Sequence, residues 1–418
     1  MVYKVIGMMS GSSLDGLDIA YVHLQEQVGS SLQGPRAWGF QLLNTVTYPY
    51  SDEWRERLAG APALSALDYQ LLHVEYGHYL GAQVLRFIEA FGLDFQVQLV
   101  VSHGHTALHW PERKLTAQLG DGAAIAATTG INVVSDLRAM DMALGGQGAP
   151  IVPIGELLLL PGYDLFLNLG GIANISRHGG QGAAAGATEG AEGAEGAAGV
   201  GGGKGPGEGR EKGPGDGREF VAYDVCPANR VLNALAEMQG KAYDEGGAIA
   251  ASGRVDPELL RRLDALPYYQ QPYPKSLANE FGTHTIVPML QESLDFSNGR
   301  LSVADAMRTY VEHIAGQVER AVAGLGVGGR RDEAAGIGAA RMLVTGGGAH
   351  NDFLVGRLRE RVDAEVMVPH KELIDYKEAL VMALIGVLRW REERNVLASV
   401  TGAVRDSVGG AVWIGQEV

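Results

Sequence analysis

Apolar positions along this chain follow two different periods. At Leu80, Val84, Phe87, Ile88 and Phe91, and again at Met307, Val311, Ile314, Val318 and Leu325, they recur close to i, i+4, i+7 and i+11, which places them on one face of a helix. Between such stripes stand short β-rich runs at 97–101, 131–135, 163–169, 220–223 and 342–344. Strands alternating with amphipathic helices predict an α/β protein whose parallel or mixed sheets are covered by helices. The N-terminus differs. Residues 4–24 read as a strand, a turn rich in glycine and hydroxyl groups, and a second strand with period-two alternation around Ile19 and Tyr21.

That turn contains Gly11, Ser12, Ser13, Leu14, Asp15 and Gly16. A phosphate loop of the GxxxxGK[ST] kind needs a lysine and a following helix, and this segment has neither. Alone, a Gly/Ser turn between strands is an ordinary hairpin. Two further strands also run into glycines. The run 163–169 opens into Gly170 and Gly171 ahead of Ile172, Ala173 and Asn174, and the run 341–345 opens into Gly346, Gly347 and Gly348 ahead of Ala349, His350 and Asn351. Backbone amides close on a phosphate or an adenosine only where no side chain intervenes, so three such loops point to nucleotide binding. The arrangement resembles the actin, Hsp70 and sugar-kinase superfamily, in which two related ribonuclease H-like domains each give one phosphate loop and a third glycine loop holds the adenosine. The resemblance implies ATP in the cleft between two actin-like domains.

Size and charge agree with that picture. The chain has 418 residues, 46% hydrophobic and 20% charged, enough apolar material for two cores. The expected division is 1–152 plus 376–418 as one domain and 153–375 as the other. A net charge of −15 argues against nucleic acid or an anionic membrane surface as the main partner. Cys226 is the single cysteine, so no intrachain disulfide is possible, and the N-terminus shows no charged leader followed by an apolar core. Apolar runs fall short of the roughly 18–20 residues of a membrane span, and the expected location is the cytoplasm. Residues 179–217 are Gly, Ala and Glu with few large side chains, a low-complexity insertion expected to be flexible and dispensable for activity.

Several polar motifs sit at the ends of these runs. Ser102, His103, Gly104, His105 and Thr106 follow a strand; they form either a His-x-His metal site, with His109 as a further ligand, or a polar loop lining a sugar or phosphate pocket. The pocket reading is the favoured one, because the remaining histidines supply no obvious series of ligands. Arg138 is an anion or hydroxyl clamp, or else an ordinary ion-pair partner for Asp136 or Asp141. Asp224 is placed at a strand end facing a ligand crevice, where it serves as a general base or as a cap for a helix carrying Asn229. Cys226 reads as packing. Glu378 falls in the first turn of a predicted helix over 375–386, favoured there by the helix dipole or turned toward a substrate hydroxyl.

In chain order, residues 9–16 (MSGSSLDG), 102–106, 145–150 (GGQGAP), 168–174, 224–229, 273–276 and 346–351, with Lys377-Glu378-Ala379, resemble the anhydro-N-acetylmuramic acid kinases over the whole chain outside the insertion. That resemblance implies a homodimer that uses ATP and Mg²⁺. It implies hydrolysis of 1,6-anhydro-N-acetylmuramic acid to N-acetylmuramic acid 6-phosphate and ADP, a step in recycling cell-wall sugar. It places the nucleotide at Gly11, Ser12, Ser13, Leu14, Asp15, Gly16, Leu17 and Asp18, at Gly170 and Gly171, and at Gly346, Gly347, Gly348 and Asn351. It makes Asp224 the base that takes a proton from water and gives the sugar His105, Thr106, Arg138, Asn229 and Glu378. Asp15, Asp18 and Asp121 become possible outer-shell partners of Mg²⁺. Two departures stand out: many members read HGQT at 103–106 and DTGP at 224–227, where this chain has His103-Gly104-His105-Thr106 and Asp224-Val225-Cys226-Pro227. Alternatives on the same fold are a kinase of another sugar or a carboxylic acid, and an actin-like regulatory ATPase with no small-molecule acceptor.

Overall fold

The computed structural model describes residues 1–11, 14–27, 37–177, 220–273, 275–278, 280–296, 301–327 and 339–416. Ser12, Ser13 and the insertion 179–217 lie outside the described residues. The strands are β1 Val2–Ser10, β2 Gly16–Gln27, β3 Ala37–Pro49, β4 Leu99–Ser102, β5 His105–Trp110, β6 Leu115–Leu119 and β7 Val133–Ser135. They continue with β8 Leu165–Leu169, β9 Ile172–Arg177, β10 Val221–Pro227, β11 Arg341–Thr345, β12 Glu365–Met367 and β13 Ala411–Trp413.

The first sheet has the order β13-β7-β4-β1-β2-β3. Its β1, β2 and β3 form an antiparallel meander, while β4 and then β7 add in parallel to the other side of β1. The second sheet has the order β10-β9-β8-β11-β12, with β8, β9 and β10 as the antiparallel meander and β11 and β12 parallel beyond β8. Apart from β13, which closes the first sheet antiparallel to β7, the chain makes one five-stranded arrangement twice. This is the two-domain, ribonuclease H-like organisation of the actin and sugar-kinase fold. Parallel strands need crossovers, which is why the long amphipathic helices Ala66–Phe91 and Val303–Gly324 stand where the sequence stripes predict them.

The helix Lys371–Trp390 returns from the second sheet and packs across β1, β2 and β4. Contact is so close that a Cβ at Gly7 would overlap the Ala379 carbonyl. Leu380–Leu388 of this helix are buried in a core that also takes in Phe166 of β8 and Leu343 of β11, so one helix forms a wall shared by both sheets. Its backbone breaks helical geometry at Tyr376 (φ −116°, ψ 15°).

Three local expectations are corrected. The strand expected to end near Tyr223 runs on to Pro227, because a bulge between Asp224 and Cys226 absorbs the irregularity and lets pairing with β9 continue. The helix expected from residue 375 starts at Lys371, so Glu378 lies beyond its first turn. The polar segment after β4 is a tight turn rather than an open loop: β5 begins at His105 and pairs with β6.

Candidate active site

Register alone builds one wall of the site. Asn168 of β8 lies opposite Asn174 of β9, and Asn174 lies opposite Asp224 of β10, so the three side chains share one face of the second sheet. All three line a cavity of about 770 Å³ in the cleft between the two sheets. Asp224 is held on three sides. Its Oδ2 accepts the Leu277 N–H at 2.7 Å, its Oδ1 accepts from the Asn174 amide, and its carbonyl accepts the Tyr268 phenol. Burial raises its pKa above the ordinary carboxylate value, and the Leu277 and Asn174 donors pull against that rise. The capping alternative fails on this geometry: the helix Asn229–Glu237 has no side-chain cap, and the Asp224 carboxylate is engaged elsewhere.

The opposite wall brings in Arg138, after β7, with His103, after β4, and Glu378. Asp141 is not the partner of Arg138; its carboxylate accepts the Gly148 N–H at 2.8 Å and the Thr401 hydroxyl at 2.7 Å. The Nε of Arg138 is buried without a hydrogen-bond partner among the described residues. Burial lowers the Arg138 pKa to about 10, and Glu378 opposes that shift. Glu378 is itself raised by burial, against the charges of Lys377 and Arg138. Behind it, Lys377 Nζ lies 2.9 Å from Glu156 Oε1, and Glu156 Oε2 accepts the Ser176 hydroxyl at 2.6 Å. Both members of this ion pair are buried, and it ties the shared helix to the helix Pro153–Leu159 and to β9.

The expected nucleotide residues occupy the turns outside this cavity. Leu14 has a positive φ of 59°, and Gly16 to Asp18 begin β2. Asp18 accepts the Thr47 hydroxyl at 2.6 Å; burial, then Asp15, Glu378 and Asp375, push its pKa up to about 6. Gly170 and Gly171 turn β8 into β9, and their carbonyls accept the N–H groups of Asn229 and Ala228. At Gly346 (φ +81°) a side chain would overlap Asn168, so the third loop approaches the second as only glycine allows. Asn351 caps the helix Asp352–Arg361, accepting the Leu354 N–H at 2.9 Å, and Asp121 caps Gly122–Thr129 in the same way.

His105, Thr106 and Asn229 do not line the cavity. His105 Nδ1 is 3.4 Å from Ser10 Oγ, behind the first hairpin, in a buried chain that continues through Tyr50 to Tyr76. Thr106 pairs with Gln118 across the β5–β6 ribbon, and Asn229 donates to the Leu169 carbonyl. The metal reading of this segment also finds no support. The Nδ1 atoms of His103, His105 and His109 go to Gly104, Ser10 and Thr116 in turn, and no group of three metal-ligating side chains converges among the described residues. Cys226 is fully buried, and burial pushes its thiol far above reactivity near neutral pH.

Sequence reasoning gave no role to three contributors, Asn174, Glu156 and Lys377, whereas His103 stood in the segment read as lining a pocket. A signal for the first was present, since Asn168 and Asn174 stand symmetrically about Gly170 and Gly171 and a hairpin there must pair them.

A profile of the anhydro-N-acetylmuramic acid kinase family matches residues 3–191 and 214–415. Among similar proteins, the anhydro-N-acetylmuramic acid kinase of Rhodococcus erythropolis is 34% identical over 99% of this chain and 94% of its own length. Those of Gloeobacter violaceus and Streptomyces coelicolor are 32% and 33% identical, over 96% and 99% of this chain and 96% and 94% of theirs. A solved structure, the ADPNP-bound activator of 2-hydroxyisocaproyl-CoA dehydratase from Clostridium difficile, is 14% identical with a TM-score of 0.42, covering 94% of this chain and 96% of its own.

Proposed function

The chain belongs to the anhydro-N-acetylmuramic acid kinase family, and from that premise we propose that Asp224 is its catalytic base and that the cleft between the two sheets is its sugar site. It is a carbohydrate kinase that opens the 1,6-anhydro bond of 1,6-anhydro-N-acetylmuramic acid and phosphorylates the 6-oxygen, giving N-acetylmuramic acid 6-phosphate and ADP. One observation carries the assignment of the base. Asp224 is a half-buried carboxylate on the cavity wall, held from behind by Asn174 and Leu277 and raised in pKa by burial, as a proton acceptor for water should be.

The chemistry needs one such base. Water deprotonated by Asp224 attacks the anomeric carbon, the C1–O6 bond breaks, and its electron pair leaves O6 as the nucleophile toward the γ-phosphorus of ATP. The phosphoryl group captures the leaving oxygen, so the second carboxylic acid of ordinary glycoside hydrolysis has no task here. Arg138 and Glu378, facing Asp224 across the cleft, hold the sugar so that C1 addresses the base and O6 the nucleotide. The three glycine loops, Gly11–Asp18, Gly170–Gly171 and Gly346–Gly348, take the nucleotide.

A divalent cation fits beside Asp18. Burial, and then the like charges of Asp15, Glu378 and Asp375, raise the pKa of that carboxylate, which a cation would relieve, and phosphate oxygens and water complete a Mg²⁺ shell where the protein gives one or two carboxylates. Asp18 and Asp15 would hold it, and the ion would supply positive charge against the charge developing on the transferring group. A homodimer in the cytoplasm is the setting we assign. No helix among the described residues is long and apolar enough to cross a membrane.

Asp224→Asn is the direct test. It should lower turnover by about a hundredfold to ten-thousandfold and leave ATP affinity unchanged, since the nucleotide loops lie outside the cavity. Unchanged turnover in that variant would move the base to another residue.

A further inference from the structure

His103 is 2% exposed, on a turn that only a left-handed Gly104 (φ +70°) can make. Its Nδ1 lies 2.8 Å from the Gly104 carbonyl. A carbonyl accepts only, so the ring hydrogen sits on Nδ1, and Nε2 of the neutral ring is left as a lone-pair acceptor. Burial and the charge of Arg138 lower the His103 pKa to about 3, which keeps the ring neutral throughout the working range. Nε2 has no partner among the described residues, and His103 lines the same cavity as Arg138, Asp224 and Glu378. A buried acceptor left unpaired is costly, and a preorganised one in a ligand cavity is satisfied by a donor on the ligand.

The substrate limits what that donor is. In 1,6-anhydro-N-acetylmuramic acid a single oxygen bridges C1 and C6, and O3 carries the lactyl ether, whose carboxylate is ionised and has no hydrogen to give. Two neutral donors remain, the 4-hydroxyl and the acetamido N–H. We propose that His103 Nε2 accepts a hydrogen bond from one of these two donors, making His103 a specificity-determining residue of the sugar site. This rests on the kinase reading above. A site built to accept a hydrogen rejects analogues that lack it far more strongly than an apolar pocket rejects a change in size.

The test is a mutant and analogue cycle read as kcat/KM. Wild type, His103→Leu and His103→Gln are assayed with the parent sugar, its 4-deoxy analogue and its N-methylated acetamide. His103→Leu should lose about tenfold to a hundredfold on the parent sugar, with KM for ATP and the unfolding temperature unchanged. Wild type should lose a similar factor on one analogue, and His103→Leu should lose nothing further on that same analogue, which identifies the donor. His103→Gln, which restores an acceptor, should recover part of the loss and runs the same cycle if the Leu variant does not fold. Losses that multiply for both analogues would overturn the assignment while leaving the kinase reading intact. A wild type inert toward the parent sugar would bring down both.

Discussion

Asp224 must be ionised to take a proton yet basic enough to want one, and its surroundings set that balance. Burial raises its pKa, and the donors from Leu277 and Asn174 restrain the rise. Turnover should therefore fall, as pH is lowered, at a value above that of an ordinary carboxylate. Removing one donor with Asn174→Leu should move this acid limb of the kcat/KM profile to higher pH. Asp18 gives a second pH signature, read in stability rather than in turnover. Its folded pKa of about 6 exceeds the ordinary 3.8, so the folded state binds this proton more tightly than the unfolded chain. The group thus favours folding below the unfolded value and increasingly opposes it as pH rises through about 4 to 6. Asp18→Asn, which keeps an acceptor for Thr47, should raise the unfolding temperature at about pH 8, leave it unchanged near pH 3.5, and weaken Mg²⁺-dependent ATP use. At this scale the sequence was legible in bringing Asp224, Arg138 and Glu378 to one cavity wall or another, their roles there being the reading proposed above. It was not legible at Glu156, which sits inside the apolar run 153–160 and acquires its meaning only when Lys377, 221 residues away, arrives beside it.

Elements decide which of these residues meet. The meander β8-β9-β10 lines up Asn168, Asn174 and Asp224, and the helix Lys371–Trp390 carries Lys377 and Glu378 back from the second sheet to the first. The buried pair Lys377–Glu156 fixes that helix at the floor of the cleft. Removing one partner, as in Lys377→Met, strands a buried charge and should cost about 3–5 kcal/mol in denaturant unfolding, whereas the double change Lys377→Met with Glu156→Leu should recover most of it. The helical stripes predicted the helices Ala66–Phe91 and Val303–Gly324 because a 3.6-residue period survives without tertiary context. The bulge at Asp224 and the early start of the last long helix were not foreseen, since pairing with β9 and the packing of Leu373 and Ile374 decide them.

For the whole molecule, three glycine-ended strands predicted a nucleotide fold, and the repeated five-stranded order accounts for two of them: β1 and β8 hold equivalent central positions in their sheets. The duplication was expected only through the family resemblance, because strand order emerges from pairing and not from any local period. Residues 179–217 fall in the chain between β9 and β10, two strands of the sheet that carries Asp224. Replacing them with a short Gly/Ser turn should leave kcat and both KM values within about twofold, in keeping with how little loop length costs, as steady-state assay of the shortened chain would show.

The central claim is that one site couples ring opening by water to phosphorylation of the released oxygen. Turnover of 1,6-anhydro-N-acetylmuramic acid with Mg²⁺ and ATP in water labelled with heavy oxygen, followed at once by mass analysis of the products, reads that coupling directly. The account predicts a sugar product gaining one phosphoryl group and one water, with a single heavy oxygen at the anomeric carbon and none in the phosphate. Sugar phosphate formed without added water, or label in inorganic phosphate with the sugar unchanged, would contradict it.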